Sequence, residues 1–216
     1  MKVVNFSDDF WRLLCYSIFC FTEGKNYMAK LYFRYGAMGS SKTANALMVN
    51  YNYFERGAKP IMLKPALEDR DGEKIIKSRI GLSWECEFVE DFLANMEKDP
   101  KYVKQYDAVI IDEAQFLTEE QVDKFAKVVD EYHVPVICYG LRTDFQSHLF
   151  PGSKRLLEVA DKVEEVKTVC FCGKKATHNA RVKSGVIIRD GEQVMMGGNE
   201  SYVALCRKHF LEGRLE

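Results

Sequence analysis

The sequence predicts an α/β fold in which a parallel sheet is flanked by helices, with a small metal-binding domain after it. Three observations support this prediction. Strand-like apolar runs alternate with helix-like runs over most of the chain. A loop of small residues, 36–43, joins the first predicted strand to the first predicted helix. Three cysteines and a histidine form two close pairs near the C-terminus.

Composition limits the classes of protein that the chain can belong to. Its 216 residues suit one medium domain with a small appendage, and 47% hydrophobic and 29% charged residues are typical of a soluble globular protein. The net charge of −1 creates no field that would attract nucleic acid or an anionic membrane, so we expect neither as a partner. Seven cysteines, four of them scattered singly, indicate reduced thiols plus a metal site and therefore a cytoplasmic protein.

The N-terminal region carries an apolar stretch, WRLLCYSIFCF at 11–21. It is too short to span a membrane, and Asp8 and Asp9 before it are atypical of a secretory signal. We interpret it as a short packed helix or as residues upstream of the true start. The predicted organisation is an extension at 1–27 that need not be native, a domain at 28–167 that contains the loop 36–43, and a small second domain with a long loop at 168–216.

The order of elements follows from residue patterns. Strands are predicted in the β-rich or apolar runs KLYFRYG (30–36), KPIMLKP (59–65), AVII (108–111) and VPVICYG (134–140). The helix after the loop places Leu47, Tyr51 and Phe54 at helical spacing, with Gly57 as its C-terminal cap.

Two further helices and a loop complete the predicted elements. One helix is predicted over EFVEDFLANMEK. Another begins at Thr118, which forms a capping box with Gln121, and buries Val122, Phe125 and Val129. The polar segment 68–81 predicts a mobile loop.

The loop GAMGSSKT nearly matches the phosphate-binding pattern G-x-x-x-x-G-K-[ST], with Ser41 in place of the second glycine. Backbone N–H groups and the helix N-terminus would bind triphosphate oxygens there. Serine keeps the N–H donor, so we expect it to be tolerated with some loss of ATP affinity if the backbone is near-helical. Taken alone, the loop leaves a chance match open. The predicted phosphate-binding residues are Gly36, Ala37, Met38, Gly39, Ser40, Ser41, Lys42 and Thr43.

A pair of acidic residues strengthens the nucleotide-site interpretation. Asp112 ends the apolar strand, which we expect beside the loop, so Thr43 and Asp112 together predict a Mg²⁺ site. Glu113 could accept a proton from an attacking hydroxyl or water, although a surface glutamate near a helix start is the alternative. Loop, strand and acids together predict a P-loop NTPase (RecA-like) sheet.

Three other residues are candidates for contacts with substrate. Gln115 offers an amide for a base or sugar edge, and Phe116 offers a ring for stacking. Arg70 in the polar loop could neutralise a transferring phosphate, although a lone arginine there is more often solvated charge.

The C-terminal region carries a metal-type pattern, C-x-C…C-x-x-H, formed by Cys170, Cys172, Cys206 and His209. Four such ligands in two close pairs suit a closed, tetrahedral, structural Zn²⁺. The C-x-C pair is tighter than the usual C-x-x-C. Unrelated buried thiols with a surface histidine are therefore the alternative.

The chain resembles the cellular-type (type II) thymidine kinases over about 28–210. The segments that carry the resemblance occur in the family's order: YGAMGSSKT, KPALEDR, KSRIG, IIDEAQF, YGLRTDF and GNESYVALCRKHF. The departures are Ser41 for glycine, Glu68 where aspartate is expected, and the short C-x-C pair. Ser41 bears on ATP affinity, and the C-x-C pair bears on the detail of the zinc loop.

The resemblance implies transfer of the γ-phosphoryl group of ATP to the 5′-hydroxyl of thymidine. It implies that Glu113 is the general base, that Lys42, Thr43 and Asp112 hold MgATP, and that Arg70 steadies the transferred group. It also implies that 28–167 is a P-loop ATP-binding kinase domain and that 168–216 is a lasso domain, whose long loop is closed at its base by structural Zn²⁺. Feedback inhibition by dTTP and a homotetramer are implied as well. The nucleoside site that it implies comprises Gln115, Phe116, Leu141, Phe145, Asn179, Met195 and Tyr202.

Two other function classes are alternatives to a nucleoside kinase. A helicase-type P-loop ATPase is suggested by DEAQ, but it needs two such domains and arginine-finger motifs, which the sequence lacks. A zinc-ribbon module that binds nucleic acid would need a basic stripe, and the chain is nearly neutral.

Overall fold

The computed structural model describes residues 28–67, 74–193 and 202–216. The strands are β1 (Leu31–Tyr35), β2 (Pro60–Lys64), β3 (Ile75–Lys77), β4 (Ser83–Glu85), β5 (Glu87–Phe88), β6 (Ala108–Ile111), β7 (Val136–Gly140), β8 (Lys162–Glu165), β9 (His178–Lys183), β10 (Val186–Ile188) and β11 (Tyr202–Leu205). The α-helices are α1 (Lys42–Glu55), α2 (Val89–Lys98), α3 (Glu119–Tyr132), α4 (Pro151–Val159) and α5 (Arg207–Glu212). Two 3₁₀ helices span Pro100–Gln105 and Ala114–Phe116.

The largest sheet has six strands in the order β5-β2-β6-β7-β1-β8, and every neighbouring pair is parallel. The predicted parallel sheet flanked by helices is confirmed. Strand β7 lies between β1 and β6, so the strand that ends before Asp112 is not the immediate neighbour of the strand before the loop. The carboxyl ends of these parallel strands meet at one edge, where ligands bind in open α/β sheets.

Strand β6 shows why the sheet is covered on both faces. All four of its residues are fully buried. Ala108 and Ile110 pack in a cluster with α1, whereas Val109 and Ile111 pack in a cluster with α2 and α3. Alternate side chains therefore enter two apolar cores, as expected for a parallel strand between helical layers.

The two edge strands of this sheet are short or charged. Strand β5 has two residues, and β8 has the sequence KVEE. Arg34 on β1 donates to Glu164 on β8 (2.8 Å) and to the Tyr139 hydroxyl on β7 (2.6 Å). This network fixes β8 side-on to β1 in addition to the backbone pairing.

A smaller antiparallel sheet, in the order β10-β9-β11, lies near the C-terminus with helix α5. Its buried cluster includes Ala180, Leu205 and Phe210 together with two cysteines. This cluster contains fewer buried residues than either of the two clusters around the six-stranded sheet.

The predicted helix ends and buried faces are mostly confirmed. The capping box of Thr118 and Gln121 is present at the start of α3, with both reciprocal hydrogen bonds formed. On α1, Leu47 is buried as expected, but Tyr51 and Phe54 are 50% and 57% exposed. The helix instead buries Val49 and other side chains, because the sheet meets a different face of α1 from the one that these aromatic residues suggested.

The prediction of a loop throughout 68–81 is wrong for its second half. Ile75–Lys77 forms β3 and pairs antiparallel with β4. Ile76 enters the core cluster of α1 and is 3% exposed, so apolar burial outweighs the polar character of the surrounding residues.

No helix within the described ranges is long and apolar enough to cross a membrane. The predicted extension at 1–27 lies outside the described residues.

Candidate active site

The loop 36–43 begins where β1 ends, at the carboxyl edge of the large sheet. The Gly36 N–H donates to the carbonyl of Gly140 at the end of β7 (3.2 Å). A Cβ atom at Gly36 would lie 2.4 Å from both the Ser40 Oγ and the Val166 carbonyl oxygen, so only glycine fits. This close approach brings the start of the loop against β7 and the segment after β8.

Ser41 caps α1 in a left-handed backbone conformation, with φ 60° and ψ 28°. The near-helical backbone on which the prediction of tolerance depended is therefore not present at Ser41. Glycine adopts this conformation freely, whereas other L-residues are strained in it. Serine at this position thus costs about 1 kcal/mol that glycine would avoid.

Lys42 points back into the loop. Its Nζ donates to the carbonyls of Gly36 (3.2 Å) and Ala37 (3.0 Å) and lies 3.4 Å from the Ser40 Oγ. Burial lowers the pKa of Lys42, while the carboxylates of Glu113 and Asp112 oppose this shift. The ammonium group is therefore close enough to both predicted acids to interact with them.

Asp112 lies directly beside the loop, although β7 separates the two strands. Its side chain is 4% exposed and accepts a hydrogen bond from the Thr43 hydroxyl. Burial and the neighbouring Glu113 carboxylate raise the pKa of Asp112 to about 7, and the bond from Thr43 opposes this shift. A buried carboxylate and a hydroxyl in contact are oxygen ligands of the type that Mg²⁺ prefers.

Glu113 follows Asp112 and begins the 3₁₀ helix Ala114–Phe116. Its φ of 51° and ψ of 36° are left-handed, which is uncommon for a residue other than glycine. Strained backbone of this kind is concentrated at functional sites. The conformation places the carboxylate next to Gln115, whose Nε2 donates to the Glu113 Oε2.

Four of the predicted nucleoside residues follow strands β6 and β7 at the carboxyl edge of the large sheet: Gln115, Phe116, Leu141 and Phe145. Phe116 is half-buried against Phe150, with ring centroids 5.8 Å apart. Leu141 follows β7 directly, and its N–H donates to the Gln115 Oε1 (2.9 Å). Phe145, a few residues later, is 1% exposed.

Arg181 is a buried residue at this site that sequence reasoning missed. Its guanidinium carbon lies 3.7 Å from the Phe145 ring centroid, and its Nε donates to the Tyr202 hydroxyl (2.9 Å). It therefore joins two residues that were predicted to surround the nucleoside. The signal for it was weak, because one arginine in a short strand is usually solvent-exposed.

Asn179 on β9 joins the small sheet to the loop. Its Oδ1 accepts from the Met38 N–H (2.8 Å), and its Nδ2 donates to the Thr143 carbonyl (2.9 Å). The Thr168 hydroxyl also donates to the Gly39 carbonyl (3.3 Å). Two points of the loop 36–43 are thus held by residues from 168 onward.

The predicted metal ligands come together in the folded chain. The ligand atoms of Cys170, Cys172, Cys206 and His209 all lie within 4.8 Å of one another. The Cys170 Sγ is 3.4 Å from the His209 Nδ1, and the Cys172 Sγ is 4.0 Å from the Cys206 Sγ. Tetrahedral zinc with bond lengths of about 2.0–2.3 Å requires ligand separations of about 3.5–3.8 Å, so this group could bind zinc.

Electrostatics around Cys170 also suit a metal ligand. Burial acts to raise the pKa of its thiol, but backbone hydrogen bonds from Cys172 and Cys206 and the contact with His209 outweigh burial and lower it to about 6. The thiolate is the form of cysteine that ligates metals. The Phe171 ring stacks on His209 at 4.4 Å and shields one side of the group.

The structure therefore gathers most of the predicted residues at two places, the carboxyl edge of the large sheet and the cysteine–histidine group. Arg70 and Met195 lie outside the described residues. Gln115 lies near Glu113 but uses both of its amide atoms within the protein.

A parallel sheet with a lysine-bearing loop after one strand and an acid after another defines a nucleotide-binding protein of the P-loop class. Comparison with known sequences narrows this class. A family model described as "Thymidine kinase" matches residues 29–210. The chain belongs to the thymidine kinase family.

Curated relatives that are also described as thymidine kinases match this chain over nearly the whole length of each relative. The thymidine kinase of Zymomonas mobilis is 47% identical over 188 residues, which is 86% of this chain and 97% of the relative. That of Novosphingobium aromaticivorans is 48% identical over 188 residues, covering 86% and 98%. That of Streptococcus pyogenes is 44% identical over 190 residues, covering 85% and 97%.

Solved structures show more distant likenesses. DnaA from Aquifex aeolicus bound to AMPPCP aligns with a TM-score of 0.42 at 17% identity, covering 77% of this chain and 48% of that one. The Pif1 helicase of Candida albicans aligns with a TM-score of 0.42 at 12% identity, covering 77% and 40%. Likeness at this level does not indicate a shared activity.

Proposed function

We propose that the chain is a thymidine kinase that transfers the γ-phosphoryl group of ATP to the 5′-hydroxyl of thymidine, and also of deoxyuridine, giving the monophosphate and ADP. The observation that carries this proposal is the meeting of Lys42, Thr43, Asp112 and Glu113 at one sheet edge, in a chain of the thymidine kinase family. The reaction serves nucleoside salvage.

The chemistry assigns a separate role to each of these residues. Within 36–43, the N–H groups of Gly36, Met38 and Ser40 are bonded inside the protein. The other N–H groups of this loop and Lys42 would bind the phosphates, with Arg70 steadying the group in transfer. The 5′-oxygen forms a bond to the γ-phosphorus while the bond between that phosphorus and ADP breaks. Glu113 accepts the proton that leaves the hydroxyl.

A divalent cation fits the pair formed by Thr43 and Asp112. Both offer oxygen, and the Asp112 carboxylate is buried beside the loop that would carry the phosphates. When bound with ATP, Mg²⁺ would neutralise charge on the phosphates. The Cys₃His group would hold a structural Zn²⁺ that leaves no coordination position open for substrate.

The nucleoside would lie between the loops after β6 and β7 and the small sheet. Phe116 and Leu141, both half-buried, would supply apolar surface. Phe145 and Tyr202, which Arg181 joins, would also belong to this pocket. Met195 and backbone groups of the lasso loop would complete this pocket. Asn179 contributes by holding the loop at Met38, since its amide is already bonded there.

Assembly and regulation form a further part of the proposal. A homotetramer is supported by the apolar outer face of α1, where Met48, Tyr51 and Phe54 are each about half exposed or more. Feedback inhibition by dTTP and a cytoplasmic location follow from the family resemblance. Free cysteines throughout the described ranges are consistent with a reducing compartment.

The test is an assay of the purified protein with Mg²⁺, ATP and each deoxynucleoside in turn. We expect dTMP from thymidine and dUMP from deoxyuridine, with little product from deoxyadenosine or deoxyguanosine. A protein that leaves both pyrimidine nucleosides unchanged but hydrolyses ATP faster with DNA would instead be a helicase-type ATPase. The likeness to Pif1, at 12% identity, does not favour that outcome.

A further inference from the structure

Gln115 is a buried polar side chain, 1% exposed, next to the proposed base. Its Nε2 donates to the Glu113 Oε2 at 2.5 Å, and its Oε1 accepts from the Leu141 N–H at 2.9 Å. The amide therefore bridges the carboxylate that would receive the proton and the first backbone N–H after β7. An amide in this orientation is fixed, because only its nitrogen can donate and only its oxygen can accept.

The surroundings of Gln115 are shaped to this arrangement. A Cβ atom at Gly140 would lie 2.8 Å from the Gln115 Oε1, so a side chain at position 140 would displace the amide. Leu141 is held from its other side, because its carbonyl accepts from the Ser153 hydroxyl on α4 (2.5 Å). Ser153 is fully buried. Leu141, which donates to the Gln115 Oε1, is thus itself anchored to helix α4.

Glu113 needs an external constraint to hold one orientation. It is half-buried, its backbone is left-handed, and its side chain has several rotatable bonds. A catalytic carboxylate must be held close to its productive geometry by groups whose own positions are fixed. The Gln115 N–H is such a group, since its amide is locked to Leu141.

We propose that Gln115 is a positioning residue that orients the Glu113 carboxylate and ties it to Leu141, rather than a residue that binds the nucleoside. This inference rests on the proposed function, in which Glu113 is the general base. A direct contact with the nucleoside would require the Gln115 amide to become accessible, because this side chain is 1% exposed and already bonds Glu113 and Leu141.

Steady-state kinetics separate the two roles. Gln115→Met keeps the length of the side chain but removes the donor and the acceptor. We expect kcat to fall by about 10- to 100-fold, with the KM values for thymidine and ATP within about twofold of wild type. A rise in the KM for thymidine with kcat retained would overturn the positioning role and favour contact with substrate.

Two further variants guard against a general effect on folding. Gln115→Asn keeps a buried amide but is one methylene group too short to bridge Glu113 and Leu141, so its kcat should fall similarly. Wild-type kcat for this variant would contradict the proposal. Gln105→Met is the matched control, because this exposed glutamine contacts Lys59 beyond the opposite end of β6 and should leave all constants unchanged.

A double-mutant cycle shows whether Gln115 acts through Glu113. In a Glu113→Gln background, adding Gln115→Met should lower kcat by less than about threefold, because the base that it orients is already gone. An equal loss in both backgrounds would overturn the positioning role while leaving the proposed function intact. Wild-type kcat for Glu113→Gln alone would overturn both, because Glu113 would then not be the base.

Discussion

Strand β6 of the large sheet has all four residues buried, whereas β9 of the small sheet has three buried residues out of six. Two apolar clusters enclose the large sheet, one on each face. The described part of the small sheet has a single cluster of seven buried residues, and two of these are cysteines of the proposed zinc group. The two regions thus differ in how they are held together.

This difference explains which residues each region can contribute to a site. The large sheet can fix strained residues such as Ser41 and Glu113 at its carboxyl edge, because apolar burial stabilises the strands beneath them. The small sheet has little core, so a metal would supply the constraint that apolar contacts do not. The small sheet contributes by holding the loop 36–43 in place, as Asn179 does through its hydrogen bond with the Met38 N–H.

The largest expected effect comes from removing chemistry at the large sheet alone. Glu113→Gln keeps the shape of the side chain but removes the base, so kcat should fall by about 10²- to 10⁴-fold. ATP binding measured by calorimetry and zinc content measured by metal analysis should not change. Turnover near that of wild type would remove Glu113 from the mechanism.

The next effect comes from the small sheet. Wild-type protein should carry one zinc per chain, and Cys206→Ser should lower zinc affinity by more than about 100-fold, since even changes around the ligands cost 10- to 100-fold. In this variant, residues 168–216 should become sensitive to protease. The helical circular dichroism signal, which comes mainly from the helices that flank the large sheet, should not change.

Cys86→Ser is the control for this variant, because Cys86 is buried outside the metal group. It should retain full zinc occupancy. Zinc near zero in the wild-type protein would refute the site and, with it, the contrast between the two regions.

The energetic contribution of the contact between the two regions can be measured with a single substitution at Asn179. Asn179→Ala removes hydrogen bonds to Met38 and Thr143, so the free energy of unfolding should fall by about 1–3 kcal/mol. The KM for ATP should rise because the loop loses its support. Asn52→Ala, which changes an exposed residue of α1, should leave the melting temperature and the KM for ATP unchanged.

The smallest effect concerns strain within the loop. Ser41→Gly should raise the free energy of unfolding by about 1 kcal/mol, measured by urea denaturation, and should lower the KM for ATP. Ser184→Gly is a matched control, because Ser184 is also left-handed (φ 52°) but lies in the turn between β9 and β10. It should give a similar stabilisation with no change in KM. A loss of stability for Ser41→Gly would contradict the assignment of strain.

Local patterns explain why much of the fold could be predicted. The apolar run 108–111 and the capping box at Thr118 are set by residues within a few positions of each other. The bond from Met38 to Asn179 joins positions 141 residues apart, and no local pattern encodes it. The bond from Leu141 to Gln115 is likewise not encoded locally, because it depends on the pairing of β6 with β7. The sequence therefore suggested only that Gln115 lies in the nucleoside pocket.

The left-handed Ser41 marks another limit of sequence reasoning. The motif indicates glycine at this position, but the residue type alone does not say whether the backbone follows the motif after a substitution. Strand β3 was missed because its three residues lie among charged ones, and its burial depends on contact with α1.

The blunt borders of the six-stranded sheet bear on how copies of the chain can associate. A two-residue strand at one side and a strand with three charges out of four at the other offer poor templates for backbone pairing between molecules. Fibre-like growth by strand addition is therefore disfavoured at both ends of the sheet. Helical surfaces remain for closed, symmetric association between copies of the chain.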